Sequence, residues 1–250
     1  MWFVYTETPT VGITAPVRAS ERAYRQLRGE ILDGLLAPGT GLLEVEQSAR
    51  IGVSRTPLRA AIARLTADGL VAGRPGRGFM VTEMSVDTIV ELYEVRRALE
   101  EHAARIAAER RDPEVFEALR AQFLAAPELL QHGEAGLRRY YELIDEFDLA
   151  LDAAVENPFL VRALAGVRTH LARIRRLARD NPDRLRHAAA EHLLIVDAVL
   201  AGDSSLAAHA THVHLHQSLT SVLATLTGSV AQSPSRSPQS NQSNQSNQPN

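Results

Sequence analysis

The chain has 250 residues, enough for one large domain or two small ones, and its 45% hydrophobic content suffices for a buried core. It contains no cysteine, no run of about 18 apolar residues and no signal-peptide pattern at its start, so we expect a cytoplasmic protein without disulfides or membrane contact. The net charge of −3 is unevenly divided: residues 18–81 hold 10 Arg against 6 acidic residues, whereas residues 82–227 hold 16 Arg against 23. This asymmetry favours nucleic-acid contact by the N-terminal part.

The two ends of the chain differ in composition from the rest. Residues 1–17 show no clear hydrophobic period, so we expect a flexible arm there. Residues 228–250 are rich in Ser, Gln, Asn and Pro, and they repeat the triplet Ser-Asn-Gln three times. Such a composition cannot bury a core, and it predicts a disordered low-complexity tail.

The strongest local pattern lies in residues 52–65, GVSRTPLRAAIARL. Ser54 is a suitable N-cap and Pro57 falls in the first turn, so we predict a helix that begins near Arg55. At about 100° per residue, one face of this helix is apolar; it consists of Leu58, Ala61, Ile62 and Leu65. The opposite face carries arginines among small side chains: Arg55, Thr56, Arg59, Ala60, Ala63 and Thr66. Such a face can enter a DNA major groove, because small residues allow close approach and Arg binds guanine or phosphate. A plain solvated helix is the alternative interpretation.

The flanking sequence supports the DNA-binding interpretation. Residues 27–37 and 44–50 predict two further helices, the first ended by a Pro-Gly pair. After the predicted recognition helix, Asp68-Gly69 marks a turn, and residues 74–81 predict a two-stranded β-wing with a basic tip. Three helices followed by such a wing make a winged helix-turn-helix, which we place at residues 18–83.

This segment resembles the GntR family of bacterial transcription regulators from about Ala19 to Val81. The motifs LRGEILDGLLAPGT, GVSRTPLRAAIARL, DGLV and GRGFMV occur in the order and spacing of that family. One departure is Ala60, where many members carry Glu. The resemblance implies binding to double-stranded DNA. The expected DNA-contacting residues are Arg28, Ser54, Arg55, Thr56, Arg59, Arg77 and Gly78.

Residues 84–227 are almost free of strand patterns, and helix start and stop signals divide them into six helices. The expected helices run from Ser85 to about Arg110, from Asp112-Pro113 until Pro127 interrupts, from about Leu137 to Val155, from Asn157-Pro158, from Asn181-Pro182, and from Gly202-Asp203 to about Thr227. We therefore predict a mainly α protein. In it, an N-terminal winged helix-turn-helix with a small β-wing is followed by an all-α antiparallel helix bundle.

Several predicted bundle helices carry an ionisable residue on an otherwise apolar face. These residues are Arg96 on the first helix, Asp148 on the third, His192 on the fifth and His214 on the sixth. Burial of such groups is costly unless they meet a partner, a metal or a charged ligand. Because helix bundles build sites from facing helices, we predict that the four residues form a ligand-binding site.

A helical domain of this length after a GntR-type winged helix resembles the FCD effector-binding domain of the FadR subgroup. The stretch ELYEVRRALEEHAARIAA resembles the first helix of that domain. The resemblance, now covering about residues 19–226, implies that residues 84–227 bind an effector and form a homodimer, and that the effector is a small organic or sugar acid. A two-fold symmetric protein is expected to bind an operator with an inverted repeat.

Metal-binding FCD domains carry an Asp four residues before a Phe-His pair, a His in a Glu-His pair, and a second His 22 residues later. His192 and His214 match this pattern, whereas Asp148 replaces the first His and Ile144 replaces the Asp. Three interpretations stay open. Asp148, His192 and His214 hold one divalent metal ion, Zn or similar, with Asp145 assisting; or they line a metal-free pocket; or they form a purely structural polar cluster.

The preferred interpretation of the whole chain is a ligand-responsive transcription regulator, a repressor that a small carboxylate releases from its operator. One alternative is a small helical metal-dependent enzyme. The chain has no HExxH motif, no Gly-rich phosphate loop and no nucleophile–base motif, so we expect no enzyme activity. The other alternative is a ligand-independent architectural DNA-binding protein, which would not need ionisable groups facing inward and would bind DNA without sequence preference.

Overall fold

The structure is a computed structural model, and it describes residues 18–231 except residues 75, 77, 179 and 180. Within this part of the chain there are nine α-helices and one three-stranded antiparallel sheet. None of these helices is both long and apolar enough to span a bilayer. The predicted arm at residues 1–17 lies outside the described residues, as do residues 232–250 of the predicted tail.

The described helices agree in number and order with the predicted ones, and the predicted wing is present. The N-terminal elements are α1 (Ala19–Leu32), β1 (Gly41–Leu42), α2 (Glu44–Ile51), α3 (Arg55–Ala67), β2 (Val71–Arg74) and β3 (Gly78–Val81). The later helices are α4 (Val86–Arg110), α5 (Pro113–Leu129), α6 (Gly133–Val155), α7 (Pro158–Ala178), α8 (Pro182–Ala201) and α9 (Ser204–Ala231). The mainly α architecture with an N-terminal winged helix-turn-helix is confirmed.

The winged helix-turn-helix is built around α3, whose predicted apolar face is buried in full. Its buried residues pack with apolar side chains of α1, α2 and the sheet, and together they form one cluster: Ala23, Leu27, Ile31, Leu42, Ile51, Leu58, Ala61, Ile62, Leu65, Leu70, Val71 and Val81. Ser54 occupies the N-cap position of α3 as predicted, although its side chain makes no capping hydrogen bond. Packing of the apolar face, rather than a side-chain cap, therefore fixes α3.

The sheet has one strand more than the predicted wing. β2 and β3 pair antiparallel, with Val71 opposite Val81 and Arg74 opposite Gly78, so the wing is confirmed. β1 pairs with the other edge of β3. A strand of two residues shows no hydrophobic period, and the sequence pattern therefore could not reveal it. Arg77, at the predicted wing tip, lies outside the described residues.

The bundle helices differ from the predicted boundaries at three places. Pro127 does not interrupt α5, which continues beyond it, because burial of Phe123 and Ala126 in the same part of the helix offsets the loss of one backbone N–H. α6 begins at Gly133, earlier than predicted. α9 continues past Thr227 into the first residues of the predicted tail.

The chain forms two compact units. One unit contains the described residues up to Thr88 together with Arg162–Arg175 of α7, and the other contains Ile89–Val161 with the described residues after Arg175. In the second unit, α8 packs against α5 and α9, and α5 packs against α6. The predicted domains are consecutive segments of the chain, whereas in the structure part of α7 belongs to the unit of the winged helix.

Gly202 ends α8 in the left-handed conformation, with φ of 72°. A Cβ at this position would lie 2.9 Å from Nη1 of Arg111. That guanidinium donates hydrogen bonds to the carbonyl oxygens of Ala108, near the end of α4, and of Leu200, near the end of α8. Any side chain at Gly202 would therefore both strain the backbone and displace a group that holds two helix ends.

We expect Gly202→Ala to lower the free energy of unfolding by roughly 1–3 kcal/mol, because left-handed strain adds to the clash with Arg111. Gly166→Ala is the matched control, since Gly166 lies inside α7 and an added Cβ there meets nothing within 4 Å. The control should be neutral or stabilising by up to about 1 kcal/mol. Chemical denaturation followed by circular dichroism measures both, and equal stability of the two variants would contradict the prediction.

Candidate functional site

The outward face of α3 is the surface expected to contact DNA. Its side chains are all exposed: Arg55, Thr56, Arg59, Ala60, Ala63 and Thr66. Ser54, in front of the helix, and Gly78, at the start of β3, are exposed as well. Small residues between the two arginines leave space for a groove wall, and the guanidinium groups can reach base edges or phosphates.

Arg59 on this face already holds a carboxylate. Its Nε donates to both oxygens of Glu44, at 2.8 Å and 3.0 Å. The Arg59 side chain is 65% exposed, so this ion pair contributes about 0–1 kcal/mol and yields readily to a phosphate or a base. The helical pattern around Arg59 could not reveal this pair, because Glu44 belongs to a different helix.

One of the expected DNA-contacting residues, Arg28, is placed differently from the other described ones. Arg28 on α1 is half-buried, and its Nη2 donates to Oγ1 of Thr169 in α7 at 3.2 Å. Arg77 lies outside the described residues. The structure therefore exposes Ser54, Arg55, Thr56, Arg59 and Gly78, whereas it gives Arg28 a partner within the protein.

Arg96 supplies a buried cation in the second unit, where it is only 6% exposed. Its Nε donates to Oε1 of Glu100 at 2.7 Å and its Nη2 to Oε2 at 3.3 Å. The guanidinium carbon lies 4.5 Å from the ring centroid of Tyr93. Burial acts to lower the pKa of Arg96, but its interactions with Glu100, Tyr93 and Asp148, including the hydrogen bond to Glu100, raise the pKa overall. Arg96 is therefore charged at any physiological pH.

His192 on α8 is buried among aromatic rings. Its ring stacks on Phe123 with centroids 5.3 Å apart, meets the edge of Phe147 at 5.7 Å, and lies 4.4 Å from the ring of His214. Its Nδ1 lies 2.7 Å from the carbonyl oxygen of Ala188. Because a carbonyl only accepts, Nδ1 of His192 carries a proton.

His214 on α9 is held by a chain of charged side chains on α8. Its Nδ1 lies 2.7 Å from Oε2 of Glu191. The same carboxylate receives two hydrogen bonds from Arg184, at 2.8 Å and 2.9 Å, in the bidentate geometry that makes such pairs strong. Arg184 and Glu191 are not among the predicted site residues, although their separation of seven residues places them on one helix face.

The residues present do not fit a metal centre. The two imidazoles are oriented as in histidines that ligate metals, because each Nδ1 is hydrogen-bonded to an oxygen. However, no three His, Cys, Asp or Glu side chains in the described part of the chain are grouped so that they could hold an ion. Ile144 supplies only an apolar, buried side chain, and Asp148 lies in the field of Arg96. The expected ligand set of Asp148, His192 and His214 is therefore not assembled.

Comparison with known proteins gives two family matches and several relatives. The family model described as bacterial regulatory proteins, gntR family, matches residues 19–81, and the FCD domain model matches residues 91–217. A protein named "Probable D-xylose utilization operon transcriptional repressor" from Paenarthrobacter nicotinovorans is 34% identical over 74% of this chain and 80% of its own. The HTH-type transcriptional repressor RspR of Escherichia coli strain K12 is 30% identical over 82% of this chain and 88% of its own.

The fold is shared with solved structures at lower sequence identity. McbR/YncC of E. coli has a TM-score of 0.69 at 21% identity, covering 84% of this chain and 99% of that chain. The family matches follow the described architecture, since one covers the winged helix-turn-helix and the other covers the helices from α4 into α9. The chain therefore belongs to the GntR family of transcription regulators and combines a GntR-type winged helix-turn-helix with an FCD domain.

Proposed function

We propose that this regulator is a repressor that a small carboxylate, an organic or sugar acid, releases from its operator. The observation that carries the proposal is the set of buried ionisable side chains in the FCD domain, since Arg96, His192 and His214 are each less than one-tenth exposed. A permanent cation and two imidazoles in the interior are groups with which the carboxylate of an effector can pair. Relatives from two organisms are named as transcriptional repressors, which supports the direction of regulation.

The proposed operator contact uses the outward face of α3 and the wing, together with Arg28 of α1. Its residues are Arg28, Ser54, Arg55, Thr56, Arg59, Arg77 and Gly78. We expect Arg55 and Arg59 to contact bases or phosphates, with Arg28 and Arg77 in supporting contacts to the backbone. A homodimer would present two such surfaces, and an operator with an inverted repeat matches their two-fold symmetry.

Arg55→Ala and Arg59→Ala test the operator contact. Loss of a base contact should weaken binding by about 1–3 kcal/mol, and loss of a phosphate contact should lower the salt slope by about one. Gel-shift titrations at two salt concentrations measure both effects. The DNA is the promoter fragment that the wild-type protein protects in footprinting. Arg120→Ala is the control, because Arg120 is an exposed, ion-paired arginine of the FCD domain. Wild-type affinity of both test variants would overturn the assignment.

An effector releases DNA only if it binds one conformation of the regulator more tightly than the other. A carboxylate that binds equally well to the DNA-binding form and to the other form shifts no population. The proposed effector must therefore bind more tightly to the form of the dimer that does not match the operator. Because the described residues assemble no metal centre, we assign carboxylate recognition to Arg96, His192 and His214 directly.

A thermal-shift screen of small organic and sugar acids tests this recognition. An effector at 100 times its Kd should stabilise the protein by about 2.7 kcal/mol. The shift should disappear in a double variant, Arg96→Met with Glu100→Gln, which removes both charges of the buried pair. Compounds that shift the melting temperature are then added to the gel shift, where they should release DNA.

Three outcomes would contradict the proposed recognition. If only neutral or cationic compounds stabilise the protein, or if the double variant keeps carboxylate binding, Arg96 does not recognise the effector. A chelator should leave the shift unchanged. If elemental analysis of protein purified without a His-tag finds one zinc per chain and the chelator abolishes the shift, then a metal held by Asp148, His192 and His214 replaces direct recognition.

A further inference from the structure

Residues 162–175 of α7 belong to the same compact unit as the winged helix, although they follow it far along the chain. Three side chains of this segment, Thr169, His170 and Arg173, contact the winged helix, and we name them the α7 brace. Thr169 Oγ1 accepts a hydrogen bond from Arg28 of α1 at 3.2 Å. The other two members reach the turn after α3 and the residue after β3.

Arg173 is the buried member of the brace, with 8% of its surface exposed. Its Nη1 donates to Oγ1 of Thr82 at 3.0 Å, and its Nη2 donates to the backbone carbonyl oxygen of Thr82. Burial lowers the pKa of the Arg173 guanidinium, and among the described residues no carboxylate opposes this effect. A buried cation with only neutral acceptors depends on both hydrogen bonds, so the planar guanidinium fixes the position of Thr82.

Thr82 passes this constraint on to the end of the recognition helix. Its Oγ1 donates to the carbonyl oxygen of Gly69 at 2.8 Å, and its backbone N–H donates to the carbonyl oxygen of Leu70 at 3.0 Å. A hydroxyl can accept from Arg173 while it donates to Gly69. A continuous chain of hydrogen bonds therefore runs from α7 through the base of the wing to the turn that joins α3 and β2.

His170 contacts the same turn from a second direction. Its ring atoms lie 3.2 Å from the position that a Cβ on Gly69 would take, and Gly69 has φ of 70°, so only glycine fits there. Burial and the charge of Arg173 lower the pKa of His170, against a hydrogen bond to the backbone of Asp68 and the charge of its carboxylate. On the far side, the hydroxyl of Tyr24 donates to Asp68 at 2.7 Å. The turn is thus held between α1 and α7.

We propose that Thr169, His170 and Arg173 are positioning residues for DNA recognition, which hold the end of α3 and the base of the wing in one geometry. The outward face with Arg55 and Arg59 stays exposed while the brace is in place. A winged helix contacts DNA with its helix and its wing at once, so any freedom between the two must be lost on binding. The brace removes that freedom beforehand, and this preorganisation tightens binding. This inference goes beyond the proposed function, because it does not involve the effector.

Arg173→Met in the full chain tests the brace, with Arg162→Met as the control because Arg162 is exposed on the same helix. Hydrogen exchange should show faster exchange of the Leu70 and Thr82 amides in Arg173→Met and not in the control, with the α5 and α8 amides unchanged. Affinity for the promoter fragment defined by footprinting should fall by about 2- to 30-fold. Wild-type affinity would overturn the proposal, even if exchange becomes faster.

A second set of variants tests the role of the brace if Arg173→Met does not fold. Thr82→Val removes the hydroxyl and should weaken DNA binding, whereas Thr82→Ser keeps the hydroxyl and should retain most of the affinity. The double variant Arg173→Met with Thr82→Val should lose less than the sum of the single losses, because both act on one hydrogen-bond chain. Equal affinities of the Val and Ser variants, or strictly additive losses, would show that the brace does not position the recognition helix.

Discussion

Burial of one face of α3 is the requirement on which the DNA-binding unit depends. Leu58, Ile62 and Leu65 are each no more than 1% exposed, and burial of such a side chain contributes about 1.5–3 kcal/mol. Ala61, between them, lets α1 approach closely, since it is also fully buried. Once this face is packed, the residues on the opposite side of the helix must face outward. Hydrophobic packing therefore determines the side of α3 on which the arginines lie.

The interior of the FCD domain differs from that of the winged helix-turn-helix, because it includes charged side chains. Replacement of a buried ion pair by well-packed apolar residues is often neutral or stabilising. Arg96 with Glu100, and Arg184 with Glu191 and His214, are therefore poor means of making a bundle stable. The proposed role in effector binding accounts for them better than stability does. The stacked rings of Phe123 and His192 and the shared carboxylate of Glu191 keep the imidazoles in fixed orientations, as a preformed binding site requires.

Sequence reasoning succeeded where the signal is local. The N-cap at Ser54 and the apolar period of α3 depend on neighbouring residues, and the start of α8 depends on the Asn181-Pro182 pair. It failed on β1, which is too short for a pattern, and on Pro127, whose helix-breaking tendency is overridden by packing. The metal-ligand spacing shows the limit most clearly. Spacing along a chain fixes the helix face of each side chain, but it does not fix the distances between helices.

The α7 brace could not be foreseen for the same reason, and it also has a consequence for how the protein is made. Arg173 lies 91 residues after its partner Thr82. At a synthesis rate of about 5–20 residues per second, the ribosome needs roughly 5–18 s to add that length of chain. The winged helix therefore leaves the ribosome before residues 162–175 of α7 have been synthesised. The contact between Arg173 and Thr82 closes a long loop of the chain, and such closure is slow. Under the role proposed for the brace, a chain that terminates early within the FCD domain carries the recognition helix without this support and binds the operator less tightly.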